Sequence, residues 1–99
     1  MNDAIKPMEG APHEFQLPAV LDQAVVEELT TRIRECLDKE SKCVLNAEQV
    51  DVVGTQCAQV FLSAAKTSDE FRLKSPSINL VNDLTKLGVI DPLMDRLDF

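Results

Sequence analysis

The chain has 99 residues, of which 44% are hydrophobic, and its 17 acidic and 10 basic residues give a formal net charge of −7. A chain of this length and hydrophobic fraction can bury the core of one domain, which excludes a disordered protein. The acidic balance excludes a nucleic-acid binder and disfavours an anionic lipid surface, because both need a basic patch. No apolar run approaches the roughly 20 residues of a membrane span, so no membrane insertion is expected.

The first twelve residues, MNDAIKPMEGAP, are interpreted as a tail or an edge strand, because Pro7 fits only at the edge of a sheet. They lack the basic start and apolar stretch of a signal peptide, so a cytoplasmic location is expected. The domain itself is expected to cover residues 13–99. Three cysteines lie within apolar patterns, namely Cys36, Cys43 and Cys57. We interpret them as buried thiols of a protein in a reducing compartment.

The first half of the chain predicts a strand, a long helix and a second strand. The segment HEFQL (13–17) alternates polar and apolar residues, as a half-buried strand does. Asp22 is a suitable N-cap for a helix that continues to about residue 39, since apolar residues follow at helical spacing. The segment CVL (43–45) is a short apolar run typical of a buried parallel strand.

A strand-to-helix turn is predicted in the segment VDVVGTQCAQVFLSAA (50–65). Residues 50–53 are short and β-branched, and Gly54 permits a tight turn. Thr55 is predicted to cap the helix that follows. The face of that helix predicted to enter the core contains Cys57, Val60, Phe61 and Ala64.

The last third of the chain predicts one more strand and two helices. FRL (71–73) is interpreted as a core strand, and Ser75 followed by Pro76 as a helix start. Gly88 ends this helix, whose predicted apolar stripe is Ile78, Val81, Leu84 and Leu87. A short helix from Asp91 is expected to turn three residues inward, namely Leu93, Met94 and Leu97.

Alternation of strands and helices predicts an α/β domain with a mostly parallel sheet of about four strands and helices packed on it. Catalytic signals are weak. His13 is the single histidine, and the cysteines are too far apart in sequence for a zinc site. Glycine-rich phosphate loops are absent, and Cys57 lies on an apolar helix face. Asp51 as a phosphoacceptor would need an acidic cluster that holds Mg²⁺. We therefore expect no enzyme, no cofactor and no metal.

The chain resembles the STAS domain, the fold of the anti-sigma factor antagonists, over about residues 13–94. The segment CVLNAEQVDVVGTQCAQVFLSAA stands where that family has a strand, a short strand and the loop Asp-Ser-Ser-Gly that opens a helix. Asp51 matches the loop Asp and Gly54 the loop Gly. RLKSPSINLVNDLTKLGVID is similar to the family's closing strand, its Ser-Pro-Ser turn and its helix, and LPAVLD to its opening strand.

One branch of the family, the small STAS proteins of bacterial chemotaxis systems, is the most similar, through LPAVLD and the spacing of Gly54, Cys57, Gln59 and Val60. This resemblance implies a protein-interaction module in phosphosignalling that binds a chemotaxis-type histidine kinase and modulates phosphate flow. It also implies two alternatives. These are a STAS accessory subunit of a lipid-trafficking ABC transporter and an anti-sigma factor antagonist.

The family's phosphorylatable serine is missing. Val52 and Val53 occupy the two serine positions and have no hydroxyl group, so no regulatory phosphorylation is expected. Thr55 carries the nearest hydroxyl group and is the alternative position for phosphorylation. For Val53, burial in the core and exposure at a docking surface both remain open. The predicted partner-binding residues are Asp51, Val52, Val53, Gly54, Thr55, Gln56 and Gln59.

Overall fold

The computed structural model describes residues 5–8 and 10–99. The strands in this part of the chain are β1 (Lys6–Met8), β2 (Ala11–Gln16), β3 (Val20–Leu21), β4 (Cys43–Asn46), β5 (Val52–Val53), β6 (Phe71–Lys74) and β7 (Leu97–Asp98). The α-helices there are α1 (Val26–Glu40), α2 (Thr55–Thr67), α3 (Ile78–Lys86) and α4 (Ile90–Leu93). Two 3₁₀ turns cover Gln23–Val25 and Met94–Arg96.

Within the described residues, five strands form the main sheet in the order β1-β2-β4-β6-β7. β1 pairs antiparallel with β2, and every other neighbouring pair in this sheet is parallel. Parallel neighbours need a long crossover connection, and the helices between the strands provide it. The predicted α/β class with a mostly parallel sheet is confirmed. The sheet has one strand more than the expected four.

One strand of this sheet that the sequence did not predict, β7, lies at the C-terminus, where a helix was predicted. α4 has only four residues and gives way to a 3₁₀ turn, after which Leu97 and Asp98 pair with β6. This pairing is extended by a hydrogen bond from the Ser75 amide to the Asp98 carbonyl oxygen (2.8 Å). Leu93 is buried as predicted, but Met94 is exposed, because the change to a 3₁₀ turn breaks the helical register that would have turned Met94 inward.

One face of the main sheet carries the core. Alternate residues of β6, Phe71 and Leu73, are fully buried, whereas Lys74 is exposed on the other face and forms an ion pair with Glu14 (3.4 Å). The Phe61 ring of α2 packs against Phe71, with 6.2 Å between the ring centroids. The three cysteines, predicted as buried thiols, are all free and buried.

The start of α1 and the buried face of α3 differ from the prediction. Asp22 does act as a cap, accepting a hydrogen bond from the Ala24 amide (3.0 Å), but it caps the 3₁₀ turn, and α1 begins only at Val26. The predicted stripe of α3 is rotated. Leu80 and Leu84 form its buried face, and Ile78, at 76% exposure, therefore lies on the opposite side at about 100° per residue.

Of the described residues, none belongs to a helix with the length and apolar character that crossing a bilayer requires.

Phe61 provides a test of this packing. Because its ring is fully buried between α2 and the sheet, we expect Phe61→Ala to lower the free energy of unfolding by about 3–5 kcal/mol. The exposed neighbour Gln59 on the same helix is the control, and Gln59→Ala should change stability by less than about 0.5 kcal/mol. Urea denaturation measures both. Equal midpoints for the two variants would show that Phe61 does not lie in the core.

Candidate functional site

The chain between β4 and α2 contains the predicted site and is fixed by backbone hydrogen bonds. After β4 it turns at Ala47, whose carbonyl oxygen accepts from the Val50 amide (3.2 Å). The amides of Asp51 and Val52 then both donate to the Ala19 carbonyl oxygen, at 2.7 and 3.1 Å. The loop is thereby joined to the segment that precedes β3, more than 30 residues earlier in the chain.

β3 and β5 form a separate two-stranded parallel sheet in which Val20 lies beside Val52 and Leu21 beside Val53. Successive side chains of a strand point to opposite faces. Leu21 and Val53 accordingly enter the core, whereas Val20 and Val52 are each 46% exposed. The outer face of this small sheet is therefore a pair of adjacent, exposed valines.

Gly54 joins β5 to α2 at a point of close approach. Its amide donates to the Leu21 carbonyl oxygen (2.7 Å), and a Cβ atom on Gly54 would stand 3.1 Å from that oxygen and 3.7 Å from the Asp22 Cα. The φ angle of −79° is open to any residue. Glycine is therefore favoured here by the lack of space and not by a left-handed backbone.

The predicted cap of α2 is wrong. Gly54, in an extended conformation and without a side chain, occupies the N-cap position, and Thr55 is the first helical residue. A serine or threonine at the cap position would carry the Cβ atom for which the Leu21 carbonyl leaves little room. The Thr55 side chain is left exposed at the start of the helix.

α3 supports the loop through two polar side chains. Ser77 donates its hydroxyl proton to the Val50 carbonyl oxygen (2.6 Å), and the same hydroxyl oxygen accepts from the Leu80 amide (3.1 Å). The Asp83 carboxylate accepts from the Val53 amide (2.9 Å). Two backbone groups that β3 leaves free, the Val50 carbonyl and the Val53 amide, are thus satisfied by α3.

The cap of α3 differs from the prediction. Ser77 caps this helix. Ser75, which was predicted to be the cap, instead adopts a left-handed backbone conformation with a φ angle of 51°. Ser75 lies too early because the chain must first turn away from β6, and its amide is used by the Asp98 carbonyl oxygen of β7.

A third contact between α3 and the loop lies at the surface. The Asn79 side-chain amide donates to the Asp51 carboxylate (2.8 Å). Asn79 follows Ile78, so the exposed Ile78 is the helical residue next to this contact. We name the valine surface the set of exposed residues around this loop: Val20, Asp22, Asp51, Val52, Thr55, Gln56, Gln59 and Ile78.

Five of the seven residues predicted to bind a partner belong to this surface: Asp51, Val52, Thr55, Gln56 and Gln59. Val53 is buried at 6% exposure, which answers the question that the sequence left open, and Gly54 is half-buried. Two exposed apolar residues near the loop, Val20 and Ile78, were not in the predicted set. Val20 was left out because a two-residue strand leaves no periodic signal, and Ile78 had been assigned to the core.

The surroundings of Cys57 do not suit a nucleophile. Its side chain is buried, and its thiol lies 3.5 Å from the Asp22 carbonyl oxygen. Burial, and secondarily the negative charge of Asp22, raise the pKa of the Cys57 thiol to about 11. The thiol therefore stays protonated at neutral pH, and a protonated, enclosed thiol is a poor nucleophile.

Metal ligands do not converge in the part of the chain that the structure describes: no three His, Cys, Asp or Glu side chains there are placed to hold an ion. What the loop offers chemically is an exposed apolar pair beside carboxylate, hydroxyl and amide groups. Such a combination is suited to contact with another macromolecule.

Comparison of the chain with protein-family models, with curated proteins and with solved structures finds no match. The class of protein is therefore stated from the structure alone: an α/β fold with a mostly parallel sheet, which presents the valine surface. The STAS assignment stays a prediction.

Ser77 offers a test of the support that α3 gives to the loop. Ser77→Ala removes the helix cap and leaves the Val50 carbonyl oxygen without its donor, so we expect the free energy of unfolding to fall by about 1–3 kcal/mol. The control is Ser63→Ala, at an exposed position of α2, which should cost nothing, since alanine is the better helix former. Guanidinium denaturation compares the two. Wild-type stability of Ser77→Ala would contradict the two hydrogen bonds.

Proposed function

We propose that the protein is a non-enzymatic interaction module that binds a protein partner through the valine surface. The observation that carries this proposal is the pair Val20 and Val52, placed side by side and each 46% exposed. Their strands continue into buried residues, so the exposure is a consequence of strand pairing and not of a loose end. An apolar centre within a polar rim is the usual anatomy of a protein interface.

The kind of module follows from the resemblance to STAS domains. It is supported by the α/β fold and by the position of Asp51 and Gly54, which stand at a strand-to-helix junction as the matching loop residues would. On this basis the partner is a histidine kinase of the chemotaxis type, and the setting is bacterial phosphosignalling in the cytoplasm. The bound protein modulates phosphate flow through the kinase.

Docking is constitutive in this proposal. The two positions that match the family's serines are valines, of which Val52 faces outward and Val53 inward. Neither can accept phosphate, so binding is not switched at this loop. The Thr55 hydroxyl is exposed at the start of α2, and a displaced switch would act there.

The test is a charge at the apolar centre. An aspartate in place of Val52 would be desolvated on binding and left unpaired, at a cost of about 1.4–4 kcal/mol, so Val52→Asp should weaken kinase binding tenfold to thousandfold. Met94→Asp is the matched control, because Met94 is similarly exposed but lies outside the valine surface. Calorimetry with the purified kinase measures affinity, and circular dichroism checks the fold.

A folded Val52→Asp protein that binds as tightly as the Met94→Asp control would contradict docking at this surface. The interface would then lie elsewhere, with the acidic side of α1 around Glu27, Glu28 and Glu35 as the next surface to vary. Failure of the wild-type protein to bind the kinase at all would instead reject the chemotaxis assignment.

A further inference from the structure

We propose that the partner segment recognised by the valine surface presents an apolar side chain flanked by lysine or arginine. This inference rests on the proposed function, since it takes docking at this surface as given and adds the chemistry of what docks. It is carried by the distribution of charge around the apolar residues Val20, Val52 and Ile78.

Acidic residues alone supply the charged side chains in the segments that build this end of the molecule. Residues 17–24, 46–60 and 75–85 contain no lysine or arginine, although the chain has 10 of them. They do contain acidic residues, namely Asp22, Glu48, Asp51 and Asp83. Asp22, Glu48 and Asp51 are exposed and Asp83 is half-buried against the Val53 amide, so the segments around the apolar centre carry negative charge.

Two of these acidic residues are sequence neighbours of the two strands that form the valine pair. Asp51 precedes Val52, and its carboxylate accepts from the neutral Asn79 amide next to Ile78. Asp22 follows β3, and its Cα would lie 3.7 Å from a Cβ atom on Gly54. Among the described residues, the ion pairs are Lys74 with Glu14 and Arg96 with Asp69, so neither of these two carboxylates is neutralised by a cation.

The helix dipoles reduce the negative electrostatic potential of these carboxylates but do not reverse its sign. The N-termini of α2 and α3 lie at this end of the sheet, and each is equivalent to about half a positive charge. Two such termini offset roughly one of the four carboxylates. The remaining field favours a cationic partner, and complementary charge both speeds encounter and rejects wrong partners.

A second copy of the chain is a poor occupant for the same reason. A two-fold contact through Val20 and Val52 would bring like carboxylates together, because both copies would use the same surface patch. The net charge of −7 adds a general repulsion between copies. A partner with an apolar residue between cations satisfies both the valine pair and the negative charge of these segments.

Three synthetic peptides of ten residues can test this chemistry without the kinase. The first has Leu and Phe at its centre with two lysines on each side, the second replaces the lysines with glutamates, and the third replaces Leu and Phe with serines. Each is titrated into the full ¹⁵N-labelled chain. We expect the first peptide to shift the amide signals of Val20, Val52, Thr55 and Ile78 in a saturable manner, and the other two to shift them far less.

Salt and charge variants separate the two components of the contact. Raising NaCl from about 0.05 to about 0.5 M shortens the Debye length and should weaken binding of the lysine peptide several-fold. Asp51→Asn and Asp22→Asn keep an acceptor oxygen for Asn79 and for the Ala24 amide, respectively. Each should weaken binding about twofold to fivefold.

A pair of variants at one position gives the sharpest contrast. Val52→Lys and Val52→Asp remove the same apolar contact but add opposite charges. A cationic partner predicts weaker binding of the lysine peptide to Val52→Lys than to Val52→Asp. Equal affinity of these two variants would overturn the inference, as would equal shifts with the lysine and glutamate peptides, or shifts confined to α1.

These outcomes are distinguishable from failure of the proposed function. If the lysine peptide binds the valine surface but the purified kinase does not bind, the kinase assignment falls and the inferred partner chemistry stands. If the kinase binds and Val52→Asp weakens it, but the peptides show no preference for lysine, docking at this surface stands and the inferred chemistry falls.

Discussion

The Gly54 amide donates a hydrogen bond of 2.7 Å to the Leu21 carbonyl oxygen. The backbones approach so closely here that a Cβ atom on residue 54 would lie only 3.1 Å from the same oxygen. This contact closes the ladder between β3 and β5, which consist of two residues each. Strands so short have little stability of their own. A side chain at position 54 would force the Leu21 carbonyl oxygen to shift by a few tenths of an ångström, which would strain the pairing of Val20 with Val52 and with it the proposed docking surface.

α3 contributes the other half of the support. Ser77 and Asp83 bind the backbone at Val50 and Val53 from one side, while β3 binds Val52 and Gly54 from the other. The loop is therefore held in one conformation before any partner arrives. Valine side chains also have little rotamer freedom to lose. A surface ordered in advance loses less entropy on binding, which favours affinity from a small contact area.

Much of the fold follows from patterns that are local in sequence. Phe61 and Leu84 were predicted to be buried and are buried, because helical spacing acts within a few residues. The neighbour of Val52 could not be predicted in this way. Val20 lies 32 positions earlier, and the pairing of two-residue strands leaves no periodic signal.

The helix caps were the second feature that the sequence did not predict. Ser75 and Ser77 flank the same proline, and local propensity does not distinguish them, since the choice depends on where β7 and the Val50 carbonyl lie in space. Thr55 was a suitable cap by residue type, but the cap position falls at Gly54, where the close approach of β3 favours glycine. In both cases a tertiary contact decided between residues of equal local preference.

Amide hydrogen exchange of the free protein tests the central claim, that β3 and α3 hold the loop as a rigid surface. The amides of Val52, Val53 and Gly54 donate to Ala19, Asp83 and Leu21, respectively. The account predicts slow exchange at all three, close to that of the buried strand β4, because the bonds open only when larger parts of the fold open. Exchange as fast as at the exposed turn residue Gln49 would show a loop that moves independently, and would contradict the account.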